Sequence, residues 1–168
     1  MKNCLAIILV LFTAMSVNAQ SVKETSEVIA ENLFVNGEFS FGFDHSGMHT
    51  RSYSHQVGYK VTRNFYPLIH VGTMIGLYHR GEEKDYFNTA NIGAGVGFSI
   101  IPQLDVHALY NTSMGNRGWK YNTYEVGLTL KGKTRSSETY GFGYRYVNSR
   151  TEGVDDYKGL FVSIGFRL

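Results

Sequence analysis

The chain has 168 residues, 43% of them hydrophobic, and a net charge of +2, with 19 Gly, 12 Tyr, 11 Phe, 2 Pro and a single Cys. That length fits one domain, and the hydrophobic fraction excludes wholesale disorder. Lys+Arg 16 against Asp+Glu 14 supplies no basic stripe for phosphates, so nucleic acid is not an expected partner, and one cysteine excludes a disulfide framework or a Cys-based zinc site.

Met1-Lys2-Asn3 is a short positive start, and Leu5 to Val17 is an apolar run of signal-peptide length. Val17-Asn18-Ala19 before Gln20 fits a signal-peptidase site, so residues 1–19 are predicted to be a cleaved export signal. A membrane anchor needs a longer run, and Cys4 precedes the apolar stretch, which disfavours a lipoprotein. Residues 20–32 are polar and read as a periplasmic N-terminal segment, with Ser21 and Glu24 spaced for a capping box.

From Leu33 to Leu168 the sequence alternates with a period of two, the pattern of strands with two different faces. In chain order, one face carries Leu33/Val35/Phe39/Phe41/Phe43, then Tyr53/Val57/Tyr59/Val61, Ile69/Val71/Ile75/Leu77 and Ala90/Ile92/Ala94/Val96/Phe98/Ile100. It continues with Leu104/Val106/Ala108/Tyr110, Tyr124/Val126/Leu128/Leu130, Tyr140/Phe142/Tyr144/Tyr146 and Leu160/Val162/Ile164/Phe166/Leu168. The opposite face is Gly, Ser, Thr and charge throughout, and about eight strands result.

The links at 62–66, 101–103 and 132–137 are shorter or tighter, whereas 44–52, 80–85, 115–120 and 148–156 are mostly longer and rich in charge, Gly and Asn. Short turns at one end and longer loops at the other are how outer-membrane barrels are built. A soluble ligand barrel would put its greasy face inside. Here the compact face is small and polar and the other bulky and aromatic, which suits lipid outside and a narrow lumen within. The predicted fold is therefore all-β: an eight-stranded antiparallel up-and-down transmembrane β-barrel over residues 33–168.

Residues 33–168 resemble the small eight-stranded outer-membrane proteins of Gram-negative bacteria, typified by the transmembrane domain of outer membrane protein A and by outer membrane protein X. The most specific element is the ending Ile164-Gly165-Phe166-Arg167-Leu168, similar to the terminus that the barrel-assembly machinery recognises in that family, although Leu168 replaces the usual terminal aromatic. The resemblance implies an outer-membrane location, no cofactor and contact with the assembly machinery during biogenesis. It does not fix one function, since members include anchors, adhesins, resistance factors and a few lipid-modifying enzymes.

The predicted lumen holds Glu38, Lys60, His70, Asp105, His107, Glu125, Lys131, Arg145 and Arg167, read as a self-neutralising polar plug, because eight strands leave room only for side chains. If 132–137 is a turn, Glu125 and Arg145 meet across it with both side chains inward. Tyr53, Tyr86, Tyr110, Tyr124, Tyr140 and Tyr146 lie toward strand ends on the outward face and are predicted to form an aromatic girdle. Trp119, in the loop after Gly115-Asn116-Arg117-Gly118, is a candidate for partner contact or for dipping into the interface. His45, His49, His55 and His79 lack a metal-binding spacing, and the loop carboxylates Glu82, Glu83, Asp85, Glu152, Asp155 and Asp156 read as solvated surface, with cation bridging to lipopolysaccharide the weaker reading.

The sequence thus predicts a non-enzymatic outer-membrane barrel that stabilises the envelope or docks other outer-membrane or periplasmic proteins, surrounded by outer-membrane lipid and lipopolysaccharide. The alternatives are a lipid-A-modifying enzyme of the deacylase kind and a narrow channel. Neither His45-Ser46 nor Ser54-His55 keeps both side chains on one face of a strand, as the His-x-Ser arrangement of such deacylases requires.

Overall fold

The computed structural model of the chain describes residues 32–44, 48–80, 83–115, 119–132 and 138–168, without the side chains of 78–86. The predicted export signal, the segment 20–31, His45, Ser46, Glu82 and the side chains of His79, Glu83, Asp85 and Tyr86 lie outside the described residues.

Eight strands follow in order: β1 (Leu33–Asp44), β2 (His49–Tyr59), β3 (Phe65–Arg80), β4 (Glu83–Ile101), β5 (Leu104–Ser113), β6 (Tyr121–Lys131), β7 (Glu138–Ser149) and β8 (Tyr157–Arg167). Each pairs antiparallel with the next, and β8 returns to β1, so the sheet is a closed up-and-down barrel with no free lateral edge. The last seam pair is made by Leu168 and Val35, which exchange N–H···O bonds of 2.8 and 3.1 Å.

The alternation of the sequence becomes the inside and outside of this cylinder. Leu33, Phe39, Phe41 and Phe43 of β1 point outward and are exposed, while Phe34, Asn36 and Ser40 point inward and are buried. One ladder row runs Asp44, Gly159, Arg145, Glu125, Leu109, Gly95, Leu68, Gly58 and back to β1 at Phe34. The row therefore re-enters β1 ten residues below its start, a stagger that tilts the strands by about 45°. Every side chain along this row faces the lumen, and glycine recurs because the lumen cannot hold a side chain at each inward position. A methyl group on Gly58 would run into the Phe34 ring, and one on Gly97 into the Tyr66 ring.

The connections differ from expectation at one end. Much of 44–52 and 80–85 is strand: β1 continues through Asp44, β2 begins at His49, and the β3–β4 hairpin stays paired up to Arg80 and Glu83. Polar, charged composition suggested loop, yet backbone pairing does not require apolar side chains once a hairpin is already in register. The links that remain at that end are 45–48, 81–82, 114–120 and 150–156, against 60–64, 102–103 and 132–137 at the other, so the length asymmetry is slight.

A sealed lumen and an apolar outer wall as candidate sites

The interior is layered. At the end that carries the 114–120 and 150–156 links, Met48, Met74, Trp119, Tyr121, Val147 and Tyr157 are buried together, with Phe87 and Val154 against them. Trp119 is 0% exposed, its ring 4.7 Å from that of Tyr121 and 6.1 Å from that of Phe87, and its indole N–H donates to Ser149 Oγ at 3.3 Å. The expectation that Trp119 offers a loop contact is thus corrected. The indole is the largest side chain of this cluster, and its burial at this end of the lumen removes apolar area from water.

Below this plug lies a polar layer. Glu125 and Arg145 are directly paired across β6 and β7, as parity predicts; Arg145 Nη2 donates to Glu125 Oε2 at 3.2 Å and Arg145 Nε stands 3.1 Å from Glu125 Oε1. The guanidinium also donates to Ser40 Oγ at 2.8 Å and Thr50 Oγ1 at 3.3 Å, and it lies 4.8 Å from the Phe161 ring centre. Arg145 therefore links β7 to β6, β1, β2 and β8 through the centre of the barrel. On the other wall, Asn91 Oδ1 accepts from His70 Nε2 at 3.1 Å while Asn91 Nδ2 donates to Tyr121 OH at 2.9 Å, an arrangement that places the His70 proton on Nε2.

A third layer is built on Asp105, which is wholly buried. Lys131 Nζ is 2.6 Å from Asp105 Oδ1 and Arg167 Nη1 is 3.3 Å from Oδ2, and the carboxylate also accepts from Ser99 Oγ at 2.7 Å and Tyr66 OH at 3.0 Å. Phe34, Tyr66, Leu68 and Leu109 form an apolar cluster beside it, with the Arg167 guanidinium 4.2 Å from the Phe34 ring centre.

The predicted lumen charges thus divide into two groups, Glu125/Arg145 with Glu38 nearby and Asp105/Lys131/Arg167. Gln56 Nε2 donates to Glu38 Oε2 at 3.4 Å. Lys60 joins neither group: it is exposed just past the end of β2 and, with Arg63 and Lys131, lines a shallow cavity of about 500 Å³ at the end of the barrel opposite Trp119. The alternation predicts a lumen that is small or charged throughout, and the two apolar clusters correct that. Phe34, Leu109 and Phe161 have inward parity, and parity was the signal that could have found them.

The outer wall carries Phe39, Ile69, Phe98, Val126, Phe142 and Val162, each between 44% and 59% exposed. Tyr110, Tyr124 and Tyr146 form a contiguous row across β5, β6 and β7, with ring centres 5.3 and 6.1 Å apart. Tyr53 faces outward on β2, and Tyr140 faces outward at the opposite end, where its hydroxyl donates to Glu138 at 3.2 Å. Of the terminal motif, Ile164 and Phe166 face outward, Gly165 faces the lumen beside Thr139, and Leu168 is 89% exposed. Ser54 is buried in the lumen while His55 is exposed on the wall, so the two share no site. Among the described residues, no group of three metal-ligating side chains converges.

No known protein family matches the chain, and no curated protein matches it. Among solved structures, one reported under "De novo design of transmembrane beta-barrels" superposes with a TM-score of 0.57 at 12% identity, covering 80% of this chain and 95% of that one. Ail, the attachment invasion locus protein of Yersinia pestis, superposes with a TM-score of 0.48 at 15% identity, covering 82% of this chain and 97% of the Ail chain. At 12% identity the likeness to the designed barrel concerns the fold alone, a closed antiparallel barrel.

Proposed function

We propose that the chain is an integral β-barrel of the bacterial outer membrane with a non-catalytic role, stabilising the envelope or docking other proteins at its outer wall and rim. The observation that carries this reading is the polarity of the cylinder: its buried middle is charged and hydrogen-bonded, and its exposed surface is mostly Phe, Ile, Leu, Val and Tyr. A soluble protein rarely exposes more than a few hundred Å² of contiguous apolar surface, whereas hydrocarbon solvates such a surface without cost. Closure of the sheet satisfies the backbone that lipid leaves unpaired. In this reading the tyrosine rows sit at headgroup depth, lipid and lipopolysaccharide are the immediate surroundings, and the terminal Ile164-to-Leu168 segment engages the assembly machinery during insertion.

The two apolar plugs favour a structural role over a channel, and the separation of Ser54 from His55 favours it over a deacylase. The test is fractionation and reconstitution. The protein is expected to float with lipid vesicles, to need detergent for extraction, and to migrate differently on a gel before and after boiling. Recovery as a soluble monomer without detergent overturns the reading. A change in lipid A acylation on adding purified barrel, detected by mass spectrometry, overturns its non-catalytic part.

A further inference from the structure

The outward face of β2 is unlike the rest of the wall. His49, Arg51, Tyr53 and His55 occupy four successive outward positions. The neighbouring strands place Phe41 and Phe43 on one side and Ile75 and Leu77 on the other at the upper two of these. Most outward polar groups have company. Tyr53 OH lies 2.7 Å from His55 Nε2, the His49 ring meets the Phe43 ring at 6.3 Å, and Lys158 Nζ stands 5.4 Å over Tyr146. Arg51 is exposed and has no hydrogen bond or ion pair among the described residues. A permanently charged guanidinium between two apolar columns needs an anion or water.

Depth decides which anion is within reach. Arg51 is eight residues above Tyr59, the lower end of β2. At about 45° of tilt this is roughly 20 Å up an apolar band about 25 Å tall, close to its upper edge. That is the level of lipid headgroups, and the guanidinium fork matches a phosphate. Directly beside it, the exposed rings of Phe39, Phe41 and Phe43 descend along β1 in the direction an acyl chain would take.

We propose that Arg51 is the headgroup anchor of an anionic-lipid site on the β1–β2 face, its guanidinium holding the lipid phosphate while an acyl chain lies along Phe43, Phe41 and Phe39. A second copy fits this face poorly, because a two-fold axis along the membrane normal would set Arg51 against its own counterpart. The proposal rests on the membrane-inserted reading above.

The full chain, folded into phosphatidylcholine bilayers, is to be titrated with trace spin-labelled phosphatidylglycerol and, separately, spin-labelled phosphatidylcholine. The motionally restricted fraction of each label is the readout. One well-placed cation is expected to give phosphatidylglycerol about a fivefold preference at low salt, abolished by Arg51→Gln and kept in Lys158→Gln. Phe41→Ala is expected to weaken the association of both lipids. Equal restriction of the two lipids, or a preference that survives Arg51→Gln, overturns the proposal. A photoreactive side chain at Ile75, beside Arg51, is expected to acquire a lipid-sized adduct in native membranes. A protein-sized adduct that disappears with Arg51→Gln overturns the lipid site in favour of an acidic partner segment. If the chain fails to enter bilayers, the membrane reading itself falls; insertion with no lipid preference removes the Arg51 site alone.

Discussion

Glu125 and Arg145 face each other across β6 and β7 with an Nη2–Oε2 distance of 3.2 Å, both nearly inaccessible to solvent. Neither is independent of its surroundings, because Arg145 also binds Ser40 and Thr50 on the far side of the lumen. Removing one member of a buried ion pair strands the other and costs about 3 to 5 kcal/mol, whereas removing both relieves the isolated charge. Glu125→Gln and Arg145→Met are each expected to lower unfolding stability in detergent by that order, and the double variant by clearly less than the sum. Denaturant titration followed by fluorescence checks this, and additive losses would mean that the pair is not coupled.

Asp105 offers a contrast, since its two cationic partners, Lys131 and Arg167, are each 19% exposed at the barrel end while the carboxylate is 0% exposed. Asp105→Asn keeps the shape and the Ser99 contact but discards the charge that holds both cations. The partners can turn to water, so the expected loss is about 2 to 3 kcal/mol, as for hydrogen bonds to a charged group. Lys131→Met alone should cost less, because Arg167, Ser99 and Tyr66 remain. A Lys131→Met loss as large as that of Asp105→Asn would mean the carboxylate depends on Lys131 alone.

Strand count, facing and the Glu125–Arg145 pairing were legible in the sequence because a period of two is unforgiving: a one-residue slip would exchange lumen and wall. Two things were not. Trp119 and Phe34 are apolar, and a rule that assigns apolar residues to the wall sends them outside. Their burial follows from lumen space left by glycines such as Gly76, where an added methyl would meet Met48 and Trp119 at 2.8 Å. The reach of β3 and β4 up to Arg80 and Glu83 was hidden for a different reason, since charged residues do not prevent hairpin pairing beyond an apolar band. The Arg51 position was visible as a break in the apolar alternation of one strand, but its isolation needed the neighbours from β1 and β3.

In the link between β7 and β8, Asp156 accepts from Tyr146 OH at 2.7 Å, the Ser149 amide at 2.8 Å and Asn148 Nδ2 at 3.3 Å. The Tyr146 hydroxyl, with help from the Ser149 and Asn148 donors, holds this carboxyl below its ordinary range. The ordering of the link is therefore full above about pH 4, the unfolded value, and is lost as pH falls through the lower folded value. The Ser149 amide is expected to gain hydrogen exchange in acid, after correction for intrinsic rate, and Asp156→Asn to remove that pH dependence. Exchange protection that stays flat in the wild type down to pH 2 would show that the carboxylate does not order the link.

Two plugs make a specific statement about conduction and about Trp119. Met48, Met74, Trp119, Tyr121, Val147 and Tyr157 fill one end, Phe34, Tyr66, Leu68 and Leu109 crowd the other, and Arg145 bridges the layer between them. An ion entering at the Trp119 end meets a packed apolar layer, and one entering at the other meets the paired charges of Asp105, Lys131 and Arg167 packed against the Phe34 cluster. The wild type is expected to give no stepwise conductance in planar bilayers, and Trp119→Ala to remain silent because the opposite plug is untouched. The same substitution removes the largest buried side chain and is expected to cost about 3 to 5 kcal/mol of stability. Trp119 is also the only tryptophan, so its fluorescence reports the plug directly: emission should be blue-shifted and resistant to acrylamide in the folded barrel, and both properties should vanish on boiling. Ready acrylamide quenching in the folded state would place the indole at the surface and return it to the pool of contact residues, while stepwise conductance in the wild type would reopen the lumen as a channel.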